Sequence, residues 1–422
     1  MNLLDLLYIP VGIVTAPLWM RKKRAGWGER FGHVSGMFDA SGIDPVRPRV
    51  LLHAVSVGEV NALRALVPML SDSAHVFVST TTDTGLARAR SLFGSMEHVS
   101  VVRYPLDCSW MVERFLDSTR PDVVGLVELE VWPNFIKGCT KRGIPVGLIN
   151  GRLSARSFRG YRKIRPLLAP TFGRLGFACV QDADYARRIG IMGVPDERIE
   201  ISGSMKWDSL DTRERAEPSP GALQIAREMG IDLDHPVVVG GSTAQGEEVL
   251  IDRAVGEGAQ VIVAPRKVER FDEAASELAG CVRRSTGETR PGATRFLLDT
   301  IGELSAVYEL ADVVVMGRSF GDLFGSDPIE PAALGKPVLI GPAHSDFSVA
   351  VGLLRDAGGL EVVEPEELGE RVRALLGDPA MRAKMGGAGR CCVRGQQGAS
   401  GHHARLLLGR AGVHRARGSR DG

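Results

Sequence analysis

The sequence predicts an α/β protein made of two domains, each built on a parallel β-sheet. The chain has 422 residues, more than one hydrophobic core usually holds. Short apolar runs rich in β-branched residues alternate with helix-like stretches, as in sheets whose parallel strands are joined by crossover helices. A charged, Pro-rich stretch, TRERAEPSPG at 212–221, separates two series of such runs and is typical of an interdomain linker.

These runs set the predicted domain bounds. We expect an N-terminal domain over 25–211 and a C-terminal domain over 222–408. Such domains bind ligands at the carboxyl ends of their strands, so the site is expected in a cleft between them. The tail, 409–422, is rich in Gly and Arg and is predicted to be disordered. The predicted strands are 49–55, 76–79, 123–127 and 146–149, then 237–240, 261–264, 312–316 and 336–341.

Composition excludes several classes of protein. Hydrophobic residues make up 44% and charged residues 24%, so the whole chain is not disordered. The 52 Lys and Arg residues balance 51 Asp and Glu residues, which leaves no uniformly basic field, and nucleic acid is not an expected partner. Six cysteines without a C-x-x-C pair predict ordinary reduced thiols in a reducing compartment.

The N-terminus carries the most hydrophobic stretch, LLDLLYIPVGIVTAPLWM at 3–20, in which Asp5 is the only charge. Four cations follow at 21–24. A signal peptide has its cations before the apolar run, whereas cations after it indicate a cytoplasmic flank near anionic lipid. We therefore predict that 1–24 anchors the protein to a membrane or marginally spans it; a buried first helix or a cleaved segment are the alternatives.

Two groups of acids follow predicted strands of the first domain. In HAVSVGEVN, Gly58 permits a tight turn, and Glu59 at the following helix start can deprotonate an acceptor hydroxyl or simply complement the helix dipole. In ELEVWPN, Glu128 and Glu130 are costly to bury without partners, which favours a cleft, and they share one face if the strand continues. The alternative is a surface turn in which Pro133 starts a helix.

Two further groups follow strands of the second domain. In GGSTAQGEE, Ser242 and Thr243 lie where a helix start can bind phosphate or sugar through backbone N–H groups, or where one of them is a plain N-cap. The segment lacks the pattern of an ATP-binding P-loop. Arg266 and Lys267 can neutralise a nucleotide phosphate or a carboxylate, or form a solvated charge cluster.

The longest candidate segment begins at Asp299, continues at Gly317 and Arg318, and resumes at Ser326, Asp327 and Glu330. Its last part is a Gly-led turn into a helix. The start of that helix can hold a phosphate, while the Glu330 carboxylate accepts hydrogen bonds from ribose hydroxyls. This pattern agrees with a two-domain enzyme that uses a nucleotide-sugar.

Eight segments, in this order, closely resemble the 3-deoxy-D-manno-octulosonic acid (Kdo) transferases of lipopolysaccharide assembly: HAVSVGEV, VELEVWPN, INGRLSARSFRGY, ISGSMKWD, GSTAQGEE, APRKVERF, DTIGEL and DPIEPAALGKPVLIGP. The resemblance extends from the N-terminus to about Gly359. It implies a GT-B glycosyltransferase with two Rossmann-like domains, the first binding acceptor and the second binding nucleotide-sugar. It further implies transfer of Kdo from CMP-Kdo to a lipid A precursor (lipid IVA), with inversion and without metal or cofactor, on the cytoplasmic face of the inner membrane.

The resemblance also implies residue roles. Glu59 matches the family's general base, and Glu128 and Glu130 match paired acids of which one is implicated in catalysis. Arg266 and Glu330 match donor contacts. The other implied donor-side residues are Ser242, Thr243, Lys267, Gly317, Arg318, Ser326 and Asp327, and the acceptor-side residues are Ser56, Gly58, Arg152 and Ser154.

Three positions depart from the family pattern. Lys267 stands where the family commonly has His, Arg318 where it has Gly, and Ser326-Asp327 where it has His-Asn. Asp327 can cap a helix as Asn does, but its charge repels phosphate, which Arg318 can offset. The alternatives are another GT-B glycosyltransferase acting on a lipid, a nucleotide-sugar epimerase or, least favoured because the family's acids are present, an inactive lipid- or sugar-binding scaffold.

Overall fold

The computed structural model describes residues 5–6, 26–39, 41–214 and 216–418. The chain divides into two compact units: the described residues up to Ser209 together with those from Gln397 form the first, and Leu210–Gln396 forms the second. Within the described residues, each unit has one seven-stranded sheet in which every strand pair is parallel. The prediction of two parallel α/β sheets is therefore confirmed.

The sheet of the first unit has the order β3-β2-β1-β4-β5-β6-β7. The chain changes direction across the sheet between β1 and β4, which pair with His53 opposite Leu126, so the ends of these two strands form a switch point. The strands are β1 Arg49–His53, β2 His75–Thr80, β3 Val99–Arg103, β4 Val123–Val127, β5 Val146–Gly151, β6 Phe177–Val180 and β7 Ile199–Ile201.

Helices cover both faces of this sheet, since consecutive strand residues pack into two separate apolar clusters. Val50 and Leu52 belong to one cluster, and Leu51 and Val124 belong to the other. The helices are α1 Trp27–Arg30, α2 Val57–Ala62, α3 Leu66–Ser71, α4 Asp83–Phe93, α5 Ser109–Thr119, α6 Pro133–Lys141, α7 Ala155–Lys163, α8 Arg165–Phe172 and α9 Ala183–Met192, with 3₁₀ turns at Ser35–Met37, Asp196–Arg198 and Trp207–Ser209.

The sheet of the second unit has the order β10-β11-β9-β8-β12-β13-β14, with strands β8 Val237–Thr243, β9 Gln260–Pro265, β10 Val282–Arg283, β11 Arg295–Leu297, β12 Val313–Met316, β13 Val338–Ile340 and β14 Leu360–Val362. Its switch point lies between β8 and β12. The helices are α10 Pro220–Met229, α11 Glu247–Val255, α12 Phe271–Glu277, α13 Leu304–Leu310, α14 Ile329–Ala333, α15 Ser348–Asp356, α16 Leu368–Gly377 and α17 Pro379–Gln396, with 3₁₀ turns at Val268–Arg270, Arg284–Thr286 and Ser345–Phe347.

The end of the chain differs from the prediction. A last helix, α18 at Ala399–Gly418, belongs to the first unit, so that 397–408 is not part of the C-terminal domain and 409–418 is not disordered. The apolar side chains at helical spacing, Leu407 and Ala411, are buried in the core of the first unit. Arg415 donates to the Asp122 carboxylate at 2.9 Å. One of the arginines on which the prediction of a disordered tail rested therefore holds the helix to the first unit.

The predicted linker and the predicted anchor have different outcomes. The predicted linker, 212–221, falls within the second unit, and its last residues begin α10. The predicted anchor, 1–24, lies outside the described residues except for Asp5 and Leu6. Asp5 is buried and accepts a hydrogen bond from the Ser109 N–H at 2.9 Å. In the part of the chain that the structure describes, none of the helices combines the length and apolar character of a bilayer span.

Candidate active site

Glu59 lies in the first turn of α2, directly after the central strand β1. Ser56 is the N-cap of this helix, and its hydroxyl accepts the Glu59 N–H at 3.5 Å and donates to Glu59 Oε1 at 2.8 Å. Glu59 Oε2 accepts the Val55 N–H at 2.8 Å. This is a variant of the capping box in which the carboxylate holds the N–H of the residue before the N-cap, so the helix-terminal role considered for Glu59 is present. It leaves the carboxylate half-buried and able to accept further hydrogen bonds.

Glu128 and Glu130 follow β4, but they do not continue it. The strand ends at Val127, and Glu128 adopts the left-handed conformation with φ 57°, so the expected alternation of two acids along one strand face is wrong. Pro133 begins α6, as one alternative predicted. The first N–H groups of that helix are capped by Asp107, whose carboxylate accepts from Asn134 at 3.0 Å and from Phe135 at 2.8 Å.

The turn after β4 nevertheless brings the three predicted acids together. Burial raises the pKa of Glu130 to about 7, a hydrogen bond from the Trp132 indole N–H at 2.7 Å opposes the rise, and the charges of Glu59 and Glu128 add to it. Burial also raises the pKa of Glu59, against the hydrogen bonds from Val55 and Ser56 and with a contribution from Glu128. Close like charges of this kind are typical of catalytic carboxylates.

The remaining predicted acceptor-side residues have simpler environments. Gly58 is exposed in the first turn of α2. Ser154 is the N-cap of α7 and accepts the Ser157 N–H at 3.2 Å, which gives it a structural role. Arg152 is exposed two residues earlier. Ser56 differs from these residues because its hydroxyl donates directly to a predicted catalytic acid, Glu59.

A surface on α7 and α8 has the chemistry of a lipid-binding face and was missed in the sequence. No residue of α7 is buried, and Tyr161, Ile164 and Leu167 are 36%, 50% and 63% exposed. The stretch 151–181 contains no acidic residue, a signal that could have identified this surface. The exposed cations of α7 and of the start of α8 are Arg156, Arg159, Arg162, Lys163 and Arg165. We call this set, with the three apolar side chains, the cationic–apolar surface.

The donor-side residues gather at the switch point of the second unit. The ends of β8 and β12 approach so closely that a Cβ on Gly317 would lie 2.5 Å from the Thr243 Cα. Helix α13 packs on β8 so closely that a Cβ on Gly241 would lie 2.0 Å from the Tyr308 hydroxyl. Ser242 and Arg318 both adopt left-handed backbone conformations, with φ 57° and 60°. Non-glycine residues in this conformation at strand ends mark strained, functional loops.

The Gly-Ser-Thr turn does not itself start a helix, contrary to what the sequence suggested. Helix α11 begins only at Glu247, and its N-cap is Gly246 with no side-chain cap, so neither Ser242 nor Thr243 is the N-cap. The Thr243 hydroxyl donates to Glu248 Oε1 at 2.7 Å. Glu248 is fully buried and accepts two hydrogen bonds from the Arg270 guanidinium, at 2.8 and 3.2 Å. This ion pair, which the sequence analysis missed, fixes the base of the turn.

The other donor-side predictions lie around the buried Tyr308. Burial raises the pKa of the Tyr308 hydroxyl, the nearby charges of Glu330 and Asp327 raise it further, and Arg266 lowers it. Asp327 Oδ1 accepts the Ile329 N–H at 3.1 Å, but the N-cap of α14 is Pro328, without a side-chain cap, so the expectation that Asp327 caps this helix is wrong. Helix α14 has only five residues, so its dipole offers less to a phosphate than the sequence suggested.

Three donor-side residues lie at the edge of this group. Arg266 and Lys267 are exposed directly after β9, and the Arg266 N–H donates to the Thr243 carbonyl at 3.0 Å. Ser326 is buried, and its hydroxyl lies 3.5 Å from the Ser242 carbonyl oxygen. Beside the same loops is a cavity of about 490 Å³, lined by 244–247 and 320–323 together with Val249, Leu250 and Arg253.

Comparisons with known proteins agree with this architecture. The chain resembles the crystal structure of Anabaena Alr3699/HepE in complex with UDP, with a TM-score of 0.58 and 13% identity over 85% of this chain and 99% of that one. At this identity the likeness concerns the fold alone, and it defines a GT-B-like protein. Residues 25–209 match the family model for 3-deoxy-D-manno-octulosonic-acid transferase (kdotransferase).

Two relatives complete the assignment. The 3-deoxy-D-manno-octulosonic acid transferase of Haemophilus influenzae is 32% identical over 379 residues, covering 86% of each chain. That of Bordetella pertussis is 30% identical over 413 residues, covering 91% of this chain and 92% of the relative. The chain therefore belongs to the Kdo transferase family, whose members are glycosyltransferases, and the resemblance recognised in the sequence is confirmed.

Proposed function

We propose that this protein transfers Kdo from CMP-Kdo to a lipid A precursor, lipid IVA, at the cytoplasmic face of the inner membrane. The observation that carries the proposal is the group formed by Glu59, Glu128 and Glu130 at the switch point of the first unit. Family membership supports the Kdo substrate. The group supplies the acid–base chemistry that a transfer to a hydroxyl requires.

Glu59 is the general base. Its raised pKa strengthens it as a proton acceptor, while the Val55 N–H and the Ser56 hydroxyl stabilise its ionised form. It accepts the proton of an acceptor hydroxyl, whose oxygen bonds to the anomeric carbon of Kdo from the face opposite the phosphate. The bond to the phosphate oxygen breaks, CMP leaves with the electron pair, and the configuration is inverted.

Of the paired acids Glu128 and Glu130, we propose that Glu130 takes part in acid–base catalysis beside Glu59. Its pKa of about 7 lets it change protonation state near neutral pH, as acid–base catalysis requires. When Glu130 is protonated, the local negative charge falls and Glu59 ionises more readily. Glu128 contributes its charge to both neighbours, so its role is electrostatic.

The donor is bound by side-chain cations of the second unit. Arg266, Lys267 and Arg318 neutralise the charge that develops on the departing CMP phosphate, and Glu330 accepts hydrogen bonds from ribose hydroxyls. No metal takes part in this scheme, because the leaving-group charge is met by cations and the proton by a carboxylate. An unchanged transfer rate in EDTA would agree with it, and a loss restored by a divalent cation would refute it.

The decisive experiment gives purified protein CMP-Kdo and a tetraacylated lipid A precursor, and measures CMP release and product mass. A lipid heavier by one or more Kdo residues is expected. No product from folded protein would contradict the proposal. Activity with another nucleotide-sugar would then favour the alternative of a different GT-B transferase. The departures from the family pattern at Arg318, Ser326 and Asp327 would account for the change of donor.

The cationic–apolar surface supports the choice of a membrane lipid as acceptor. Exposed apolar side chains among cations bind interfacial anionic lipid, at about 1 kcal/mol per Lys or Arg. Reversing Arg159 and Arg162 to Glu removes two cations and adds two anions, so it is expected to weaken binding to phosphatidylglycerol vesicles by more than about 30-fold and to raise KM for the lipid acceptor.

The matched control reverses two exposed cations of the second unit, Arg373 and Lys384, to Glu. It changes net charge equally and should leave both quantities near wild type. The KM of the Arg159/Arg162 variant for a soluble acceptor analogue should also be unchanged. Equal losses in the two double variants would show that net charge acts, not this surface.

A further inference from the structure

Glu247 has an environment unlike that of any predicted site residue. It is the first residue of α11, and only 5% of it is exposed. Its Oε2 accepts the N–H of Ala244 at 2.7 Å and of Arg318 at 2.6 Å. Its Oε1 accepts the N–H of Ser319 at 2.9 Å and of Phe320 at 3.1 Å. Four backbone donors thus compensate the burial of one carboxylate, which would otherwise be costly.

Three of these donors form a nest. The N–H groups of 318–320 are consecutive, and Arg318 adopts the left-handed conformation with φ 60°. Successive backbone N–H groups in such a conformation make a concave anion site of the kind that binds phosphate in many proteins. In this chain the anion is supplied internally, by the Glu247 carboxylate. These amides are therefore already occupied when a donor arrives.

The loop held by Glu247 is connected to other donor-side segments. The Ser319 hydroxyl donates to the Met316 carbonyl at 2.7 Å and accepts the Gly341 N–H at 2.8 Å. The Arg318 carbonyl accepts the Gly325 N–H at 2.8 Å. Gly325 immediately precedes the segment that carries Ser326, Asp327 and Glu330. A shift at the nest would therefore move the residues assigned to donor binding.

We propose that Glu247 is a positioning residue whose carboxylate fills the nest of 318–320 in place of a phosphate. It fixes the backbone of Arg318 and of the segment that begins at Gly325, and it leaves the donor phosphate to side-chain cations. As far as the ligand is concerned, this inference rests on the proposed function, because the donor is the substrate of the proposed transfer.

The first test needs no turnover. Glu247→Ala leaves four donors around an empty space, which acetate can enter. Added sodium acetate is expected to raise the Tm of this variant more than sodium chloride at equal ionic strength. Wild type and Glu257→Ala, which removes an exposed Glu of the same unit, should show no acetate-specific rise. Folded Glu247→Ala without that rise would overturn the inference, even if the enzyme used a different donor.

The second test measures the donor. For Glu247→Ala, kcat/KM for CMP-Kdo is expected to fall about 10- to 100-fold, and acetate should restore part of the loss through KM. Glu247→Gln serves if the Ala variant does not fold; its NH₂ group faces amide donors, so KM should rise without rescue by acetate. Donor KM and kcat within about twofold of wild type in a folded variant would overturn the inference. Absence of transfer by wild type would refute only the proposed function.

Discussion

Glu59 and Glu247 occupy corresponding places in the two units, yet their surroundings give them opposite properties. Each lies in the first turn of the helix after the first strand of its sheet, and each accepts a backbone N–H from the preceding turn. Glu59 is half-buried, and among the described residues its carboxylate accepts hydrogen bonds from Val55 and Ser56 of its own turn. Glu247 is buried and also holds a second loop. The comparison teaches that the number and origin of the hydrogen-bond donors decide how deeply a helix-start glutamate is held. The proposed function gives the half-buried glutamate the chemistry and the buried one a positioning role.

The largest expected effect is on the transfer rate and concerns Glu59. Glu59→Gln keeps the shape of the side chain and removes the base, so the transfer rate should fall about 10²- to 10⁴-fold. Donor binding should be largely kept, as measured by calorimetry with CMP. Glu257→Gln is the control and should retain full activity. A wild-type rate for Glu59→Gln would remove this residue from the mechanism.

The second effect is on stability, to which Glu247 should contribute more than Glu59. Glu247→Ala leaves four buried N–H groups without their acceptor and should lower the free energy of unfolding by about 3 kcal/mol. Glu59→Ala loses a capping-box partner and should cost about 1 kcal/mol. Urea unfolding of both variants measures the difference. Equal losses would mean that the donors around Glu247 are satisfied by water, and that the two sites are alike.

A third effect is the pH dependence of stability that Glu130 confers. Folding raises the pKa of Glu130 from 4.5 to about 7, so the folded state binds this proton more tightly than the unfolded state. The resulting stabilisation is complete below pH 4.5 and is lost as pH rises through about 7. Relative to Glu130→Gln, wild type should therefore become less stable between these pH values. Thermal unfolding across this range checks it, and parallel curves would contradict the raised pKa.

The fold followed from the sequence where a single signal was sufficient. Buried parallel strands are continuous β-branched runs, so β4 was predicted with its observed bounds, Val123–Val127. Short edge strands such as β7 and β10 were not predicted, because a strand of two or three residues is too short to show such a run. The last helix escaped because its arginines suggested solvation, whereas Arg415 pairs with Asp122, some 290 positions earlier.

The site was predictable in part, for similar reasons. The sequence singled out the acids after β1 and after β4 separately, and they lie together because neighbouring parallel strands end at one edge of a sheet. The left-handed conformation of Glu128 was not expected, and its N–H donates to the Ile149 carbonyl of β5 at 3.1 Å, a contact that the local sequence does not reveal. Glu247 and Glu248 were missed because a buried carboxylate and an exposed one look the same in a sequence, and only the structure shows the donors that compensate them.

The smallest effect tests what keeps Glu59 ionised. Ser56→Ala removes the hydroxyl that donates to Glu59 Oε1 and caps α2, at a cost of about 1 kcal/mol in stability. The hydrogen bond from Ser56 lowers the pKa of Glu59 against the effect of burial, so its loss should raise that pKa. The acidic limb of the pH–rate profile should then move to higher pH, while the rate on the plateau stays near wild type. A limb that does not move would mean that the Val55 N–H alone holds the charge, as backbone donors hold Glu247.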